Sequence, residues 1–125
     1  MADFSQARAD MVERQIAGRG VRDPALLSAM RAVPREAFVP DRLAEFAYDD
    51  TPLPIAEGQT ISQPYIVALM TEAAEVRPGD RVLDVGTGSG YAAAVLSRMA
   101  GTVYTIERHA ALSDRAREIF ARLGY

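Results

Sequence analysis

The residues with the clearest capacity for chemistry lie in one short run, Val82-Leu83-Asp84-Val85-Gly86-Thr87-Gly88-Ser89-Gly90. A β-prone apolar stretch ends there, the chain turns over three alternating glycines, and helical spacing begins. Gly86 permits a tight turn, Gly88 lets a ligand approach the backbone, and Gly90 allows close helix packing. The amides that open the following helix are expected to face the ligand. Asp84 stands just before the turn, and Glu107 closes a second β run. A carboxylate at the end of that second run can accept both hydroxyls of a ribose. The bland alternative is a glycine turn that holds no ligand.

The pattern is G-x-G-x-G, and Tyr91 occupies the place of the third glycine in the dinucleotide fingerprint. This disfavours a nicotinamide-dependent oxidoreductase. S-adenosyl-L-methionine offers a ribose, a cationic sulfonium and a zwitterionic tail, without a pyrophosphate. Two carboxylates around glycines suit it better than they suit a dinucleotide. His109 follows Glu107-Arg108 at the start of the last helix, reads as a solvated side chain, and is given no role.

The elements that must position these residues follow from periodicity. Phe4, Ala7, Met11, Val12 and Ile16 recur at helical spacing, and Gly18 and Gly20 end that helix. Asp23-Pro24 starts a second helix, with an N-cap oxygen followed by a proline whose missing N–H costs nothing. It carries Leu26, Leu27 and Met30 and stops before Pro34. Residues 48–64 have no helical period and contain prolines at 52, 54 and 64 and Gly58. They form a long loop or a hairpin with a proline-bearing edge. Pro64 opens a helix running from Tyr65 to Val76 that is apolar nearly all round and is therefore expected to be buried. Residues 81–85 and 102–106 read as strands, with helical spacing over 89–99 and from Leu112 to Leu123. The second half is β-α-β-α, the pattern of a parallel sheet with right-handed crossovers. The expected division is a helical N-terminal extension over 1–78, carrying the 48–64 loop, and the first β-α-β-α part of an α/β domain over 79–125.

The 125 residues suffice for one domain. A hydrophobic fraction of 49% and a charged fraction of 25% are ordinary for a soluble globular chain. A net charge of -3 leaves no electrostatic footprint for nucleic acid. With no cysteine and one histidine, disulfides, thiolate metal sites and multi-histidine metal sites are excluded. The charged N-terminus is unlike a signal peptide, and no apolar run reaches membrane-spanning length. The expected location is the cytoplasm. Nothing in the sequence speaks to oligomeric state.

Several strings together resemble the protein-L-isoaspartate O-methyltransferases: Arg19-Gly20-Val21 with Asp23, Val33-Pro34-Arg35-Glu36-Ala37-Phe38-Val39-Pro40, Ala47-Tyr48-Asp49-Asp50, Leu53-Pro54-Ile55 and Gly58-Gln59-Thr60-Ile61-Ser62-Gln63-Pro64-Tyr65. The VLDVGTGSGY run matches the cofactor motif of that family, and VYTIER matches its acidic second strand. The resemblance spans Met11 to Tyr125 and is carried above all by VPREAFVP and GQTISQPY. It implies an α/β chain, the N-terminal portion of a Rossmann-like S-adenosylmethionine-dependent methyltransferase fold with a helical N-terminal extension. Relatives continue past Leu123-Gly124-Tyr125, through a Gly-Asp-Gly segment near the adenine and further strands. The 125 residues alone are therefore expected to be incomplete.

The implied reaction moves a methyl group from S-adenosyl-L-methionine to the free α-carboxylate of an L-isoaspartyl residue in a damaged protein or peptide. The ester then closes to a succinimide that can reopen to aspartate. A carboxylate with a pKa near ~4 is already ionised at neutral pH and needs no general base. Ser62 matches the family's catalytic serine. A carboxylate there would meet a hydroxyl and the amides at a helix start. The plain alternative is that Ser62 caps the helix. Gln59 and Thr60 match positions lining the cofactor and acceptor site, and loop-internal hydrogen bonding is the alternative for each. The cofactor set implied is Gln59, Thr60, Asp84, Gly86, Thr87, Gly88, Ser89, Gly90 and Glu107, with no metal. Two competing functions remain open: a catalytically incomplete fragment that at most binds cofactor, and a relative that methylates an aspartate in a dedicated peptide.

Overall fold

The computed structural model describes residues 2–125. The first helix, α1 (Ser5–Asp10), runs on as a π-helical segment, Met11–Ile16, and a 3-10 turn, Ala17–Arg19. The wide π turn brings Met11, Val12 and Ile16 onto one buried face. Ala7, expected on that face, is exposed. Gly20 stops the helix in the left-handed region at φ 99°. The second helix, α2 (Pro24–Ala32), starts as its sequence directs, with the Asp23 carboxylate accepting from the amides of Ala25 and Leu26.

Two 3-10 segments, Arg35–Phe38 and Asp41–Phe46, lead to the 48–64 stretch. Of its two expected forms the hairpin is present. Strand β1 (Leu53–Pro54) pairs antiparallel with β2 (Thr60–Ile61), and Pro54 faces Thr60. Helix α3 follows over Pro64–Ala73. It departs from expectation in two ways. It ends before Glu75, which takes the left-handed conformation at φ 52°. It is also buried on one face only: Val67, Ala68 and Thr71 point inward, whereas Ile66, Leu69 and Met70 are exposed. An apolar sequence all round the helix needs neighbours on both sides, and the described residues supply them on one.

The second half is the expected β-α-β-α unit. Strands β3 (Arg81–Val85) and β4 (Thr102–Ile106) pair in parallel, Arg81 opposite Thr102 and Val85 opposite Ile106. Helix α4 (Tyr91–Ser97) makes the crossover, and α5 (Ala110–Leu123) follows β4. One continuous apolar core joins both halves of the chain, from Met11, Ile16, Leu26 and Phe38 to Tyr91, Val95 and Ile119. The sheet is covered on its α4 side. On the other face Leu83 is 59% exposed, Val85 73%, Tyr104 56% and Ile106 55%, although parallel sheets are normally covered on both faces. No helix among the described residues is long and apolar enough to cross a membrane.

Candidate active site

The glycine turn is held from within. The amides of Gly86 and Thr87 both donate to the Ile106 carbonyl, at 2.9 and 3.0 Å, which ties the turn to the end of β4. The Gly88 amide donates to Glu107 Oε1 at 2.9 Å, the Gly90 amide to the Thr87 carbonyl at 2.9 Å, and the Tyr91 amide to Ser89 Oγ at 3.2 Å. These amides are spent on the fold. The turn amides proper are thus occupied, and of the amides that open α4 Tyr91 is bonded to Ser89 whereas Ala92 and Ala93 have no partner among the described residues. The three glycines also differ. A Cβ at Gly86 would meet nothing within 4 Å, whereas a Cβ at Gly90 would lie 2.9 Å from Phe120 Cζ and 3.2 Å from Ala116 Cβ. Gly90 is thus the packing glycine, set against α5, and Gly86 faces open space.

Glu107 closes β4 as the sequence indicates. Its Oε2 accepts from the His109 amide at 2.9 Å while Oε1 holds Gly88. Those two backbone donors, His109 first, hold its carboxyl below the usual range, so it is anionic at neutral pH. Each oxygen keeps a lone pair for an incoming hydroxyl. Asp84 is different. Its Oδ2 accepts from Thr105 Oγ1 at 2.9 Å, and that hydroxyl lies 2.6 Å from Thr87 Oγ1. Burial pushes the Asp84 carboxyl up, against the lowering effect of the Thr105 bond. Asp84 is linked to the turn through Thr105 and Thr87 and borders the cleft between α3 and β3, not the one lined by Glu107.

Three clefts meet at Gly86. The largest, about 630 Å³, is lined by Gln59, Val85, Gly86, Ile106, Glu107, Arg108 and His109. Its volume lies within the range of small-molecule sites, about 300–1,000 Å³. A smaller one of about 90 Å³ brings Thr60 and Ser62 against Gly86, Thr87, Gly88 and Ser89. The third, about 520 Å³, runs between α3 and β3 and is bordered by Ser62, Asp84 and Gly86. The hairpin therefore delivers Gln59 to the Glu107 side of the turn and Thr60 and Ser62 to the other side. Ser62 is exposed, and its hydroxyl has no hydrogen-bond partner among the described residues. The N-cap of α3 is Gln63, with no side-chain capping bond. Ser62 is not the helix cap.

The loop that carries Ser62 is anchored by charged residues. Arg35 is fully buried, donates from Nε to the Ala47 carbonyl at 2.6 Å and from Nη2 to the Ser62 carbonyl at 2.9 Å, and lies over the Tyr91 ring at 4.9 Å. Burial lowers its pKa, with Tyr91 and Tyr48 acting in the opposite sense. Tyr48 is held by the Arg35 amide, Arg8 and Glu36. Asp50 pairs with Arg19 and accepts from Gln63 Nε2 at 2.5 Å, which lowers its pKa, Arg19 contributing most.

The sequence matches the family model described as Protein-L-isoaspartate(D-aspartate) O-methyltransferase over residues 6–125. The chain belongs to this family. It is 67% identical over 122 residues to the protein-L-isoaspartate O-methyltransferase of Methylorubrum extorquens (strain PA1), covering 98% of this chain and 54% of that protein. It is 61% identical over 121 residues to protein-L-isoaspartate O-methyltransferase 1 of Rhodopseudomonas palustris (strain HaA2), covering 97% and 49% respectively. The chain thus spans about half the length of these relatives. Its fold matches a crystal structure from Plasmodium falciparum, assigned as a protein-L-isoaspartate O-methyltransferase and solved with S-adenosyl-L-homocysteine. The TM-score is 0.78 at 29% identity, covering 92% of this chain and 55% of that one. A second solved protein-L-isoaspartate O-methyltransferase gives a TM-score of 0.79 at 31% identity, covering 93% and 39%. The Rossmann-like methyltransferase fold read from the sequence is the one present.

Four cleft-lining residues carried no assignment from sequence: Val85, Ile106, Arg108 and His109. Val85 and Ile106 are the last residues of their strands, where open α/β sheets bind ligands, so their position was the available signal. His109 is half-buried rather than solvated, with Nδ1 4.0 Å from Glu57 Oε2 across the cleft mouth.

Proposed function

We propose that this chain supplies the cofactor-binding turn and the acceptor loop of an enzyme that methylates the free α-carboxylate of L-isoaspartyl residues in damaged proteins and peptides. The observation that carries this reading is Ser62: an exposed hydroxyl with no capping duty, sharing a cleft with Gly86, Thr87, Gly88 and Ser89. The residues present fit S-adenosyl-L-methionine. Glu107 is an anion with free lone pairs at the end of β4, Gly86 leaves open space for a close approach, and the Gly86, Thr87 and Gly88 amides are already bonded within the fold. The cofactor residues on this reading are Gln59, Thr60, Gly86, Thr87, Gly88, Ser89, Gly90 and Glu107, with Asp84 and Gly90 acting through the turn's shape.

When bound, the cofactor supplies an electrophilic methyl group on a sulfonium. Held by Glu107, Gln59 and the glycine turn, it would give that methyl to an acceptor carboxylate oxygen, the C–S bond breaking as the C–O bond forms, and would leave as S-adenosyl-L-homocysteine. The acceptor is already ionised, so the chain need not move a proton. Its work is to hold oxygen, carbon and sulfur in line and to exclude water. Ser62 donates to the acceptor carboxylate and orients it. Glu107 fixes the ribose end, and the hairpin sets the distance between the two.

Steady-state kinetics of Ser62→Ala in the full-length chain test this reading, with an isoaspartyl peptide as acceptor. Turnover is expected to fall while S-adenosyl-L-homocysteine affinity and melting temperature hold. Normal turnover with a lowered melting temperature would return Ser62 to a structural role. A cytoplasmic location belongs to the same reading, and cell fractionation tests it.

A further inference from the structure

We propose that Arg35 is the positioning residue that sets Ser62 against the glycine turn, acting through the Ser62 backbone rather than by touching either substrate. The inference rests on the reading of Ser62 given above.

A buried guanidinium is costly unless its donors are met, and carboxylates usually meet them. Arg35 is fully buried, yet no carboxylate pairs with it among the described residues. The nearest acid in sequence, Glu36, is taken by Arg8 and Tyr48. Arg35 instead spends two of its nitrogens on carbonyls from separate segments, Nε on Ala47 at 2.6 Å and Nη2 on Ser62 at 2.9 Å, while the buried Nη1 has no hydrogen-bond partner among the described residues. Its guanidinium carbon lies over the Tyr91 ring, 4.9 Å from the centroid. Tyr91 is the residue immediately after Gly90, is buried, and its amide closes on Ser89 Oγ. One side chain therefore joins the chain entering the hairpin, the residue leaving it, and the helix start that fixes the glycine turn.

The geometry demands an arginine. A lysine could reach one carbonyl but could neither fork to two nor lie flat on a ring. The Ser62 hydroxyl has no bond of its own, so the place from which it can reach is set by its backbone, and Arg35 donates to the carbonyl of that same residue. A purely structural arginine could have been replaced by an apolar residue of the same volume at little cost.

The test is a double-mutant cycle in the full-length chain, using Arg35→Met, which keeps the volume, and Ser62→Ala. The readouts are kcat/KM on an isoaspartyl peptide, S-adenosyl-L-homocysteine affinity by calorimetry, and melting temperature. In the parent background Arg35→Met is expected to lower kcat/KM roughly ten- to hundredfold, the loss typical of a misplaced reacting group, with cofactor affinity within about twofold. In the Ser62→Ala background the same substitution is expected to cost less than about threefold, because the group it positions is gone. Should Arg35→Met not fold, Arg35→Lys carries the same comparison. Equal losses in both backgrounds, or a cofactor affinity that falls in step with turnover, would overturn the proposal and leave Arg35 a strut. Normal turnover of Ser62→Ala alone would overturn the reading of Ser62 and this proposal with it.

Discussion

Two glycines four residues apart in one turn should fail in opposite ways when given a methyl group. Gly86 and Gly90 both have positive φ, 87° and 94°. Alanine at either position takes on left-handed strain of about 1–2 kcal/mol, offset by about 0.5–1 kcal/mol because alanine has less freedom to lose on folding. The shared penalty is thus about 1 kcal/mol. At Gly86 nothing more is added, since the new Cβ meets no atom within 4 Å. At Gly90 it would lie 2.9 Å from Phe120 Cζ, 3.1 Å from Phe120 Cε1 and 3.2 Å from Ala116 Cβ. The Phe120 ring packs on Phe38, 6.2 Å away centroid to centroid, so its shift disturbs that contact, and the Ala116 methyl is fixed on α5. Overpacking of this kind adds about 1–3 kcal/mol. Gly90→Ala is therefore expected to cost about 2–4 kcal/mol of stability and Gly86→Ala about 1. Binding should order the other way. The Gly86 methyl enters the junction of three clefts, and a tenfold loss of S-adenosyl-L-homocysteine affinity corresponds to about 1.4 kcal/mol. Urea unfolding and calorimetry on the full-length variants read both quantities. Phe120→Leu in the Gly90→Ala background should recover part of the lost stability. Equal stability losses at the two glycines, or parental affinity in Gly86→Ala, would refute this division of labour.

Glu107→Ala is expected to weaken S-adenosyl-L-homocysteine binding by roughly 1–3 kcal/mol, the worth of charge-assisted hydrogen bonds left unmade, and unchanged affinity by calorimetry would remove Glu107 from the site. Burial pushes the Tyr91 phenol up from 10.0 to about 12 and raises Tyr48 as well. The folded state then binds more protons than the unfolded chain above pH 10.0, so this stability is present below that pH and drains away as pH rises through the folded value. Phenolate absorbance followed beside circular dichroism should show these tyrosines ionising only as the fold is lost; ionisation in the intact fold would refute it. Glu75→Gly, at a left-handed helix end, should stabilise by about 0.5–1 kcal/mol in urea unfolding. The 125 residues expressed alone should associate through the face bearing Leu83 and Tyr104 and transfer no detectable methyl. Leu83→Lys with Tyr104→Lys should return them to monomers by light scattering, and a monomeric, active parent segment would contradict the expectation.

Both parallel strands and the acid that ends the second were legible because β-prone apolar runs are short and sharply bounded. The start of α2 was legible because capping is a local event, settled by Asp23 and Pro24. What the sequence hid depends on partners distant in the chain. That the Gly86 and Thr87 amides are consumed follows from the Ile106 carbonyl, twenty residues on, which only the β3–β4 register brings to them. The half-exposure of α3 was hidden because an apolar pattern reports what a helix could bury, not what is there to bury it. Arg35 stood within a recognisable string, yet no periodicity rule places an arginine at the centre of a core. Ser62 was legible as a position through resemblance, while its freedom from capping needed coordinates, since Ser-Gln-Pro can start a helix from either of its first two residues.

On the proposed reading, the bonded turn amides bear on how the cofactor would be recognised. A dinucleotide site leaves its glycine-turn amides free because two phosphates must be held by them. Here the same amides lock β3 to β4 and Gly88 to Glu107, so the turn is rigid before any ligand arrives. Recognition then falls to one carboxylate and to shape. A rigid turn suits a reaction whose rate comes from alignment, because each fraction of an ångström lost between oxygen, carbon and sulfur lowers it. The acceptor side needs the same rigidity, and its free serine hydroxyl cannot provide it. The Arg35 fork beneath the Ser62 carbonyl can. On the proposed reading, alignment across the site rests on two devices of one kind, a backbone group held by a charged side chain: Gly88 by the partly exposed Glu107 on the cofactor side, and Ser62 by the buried Arg35 on the acceptor side.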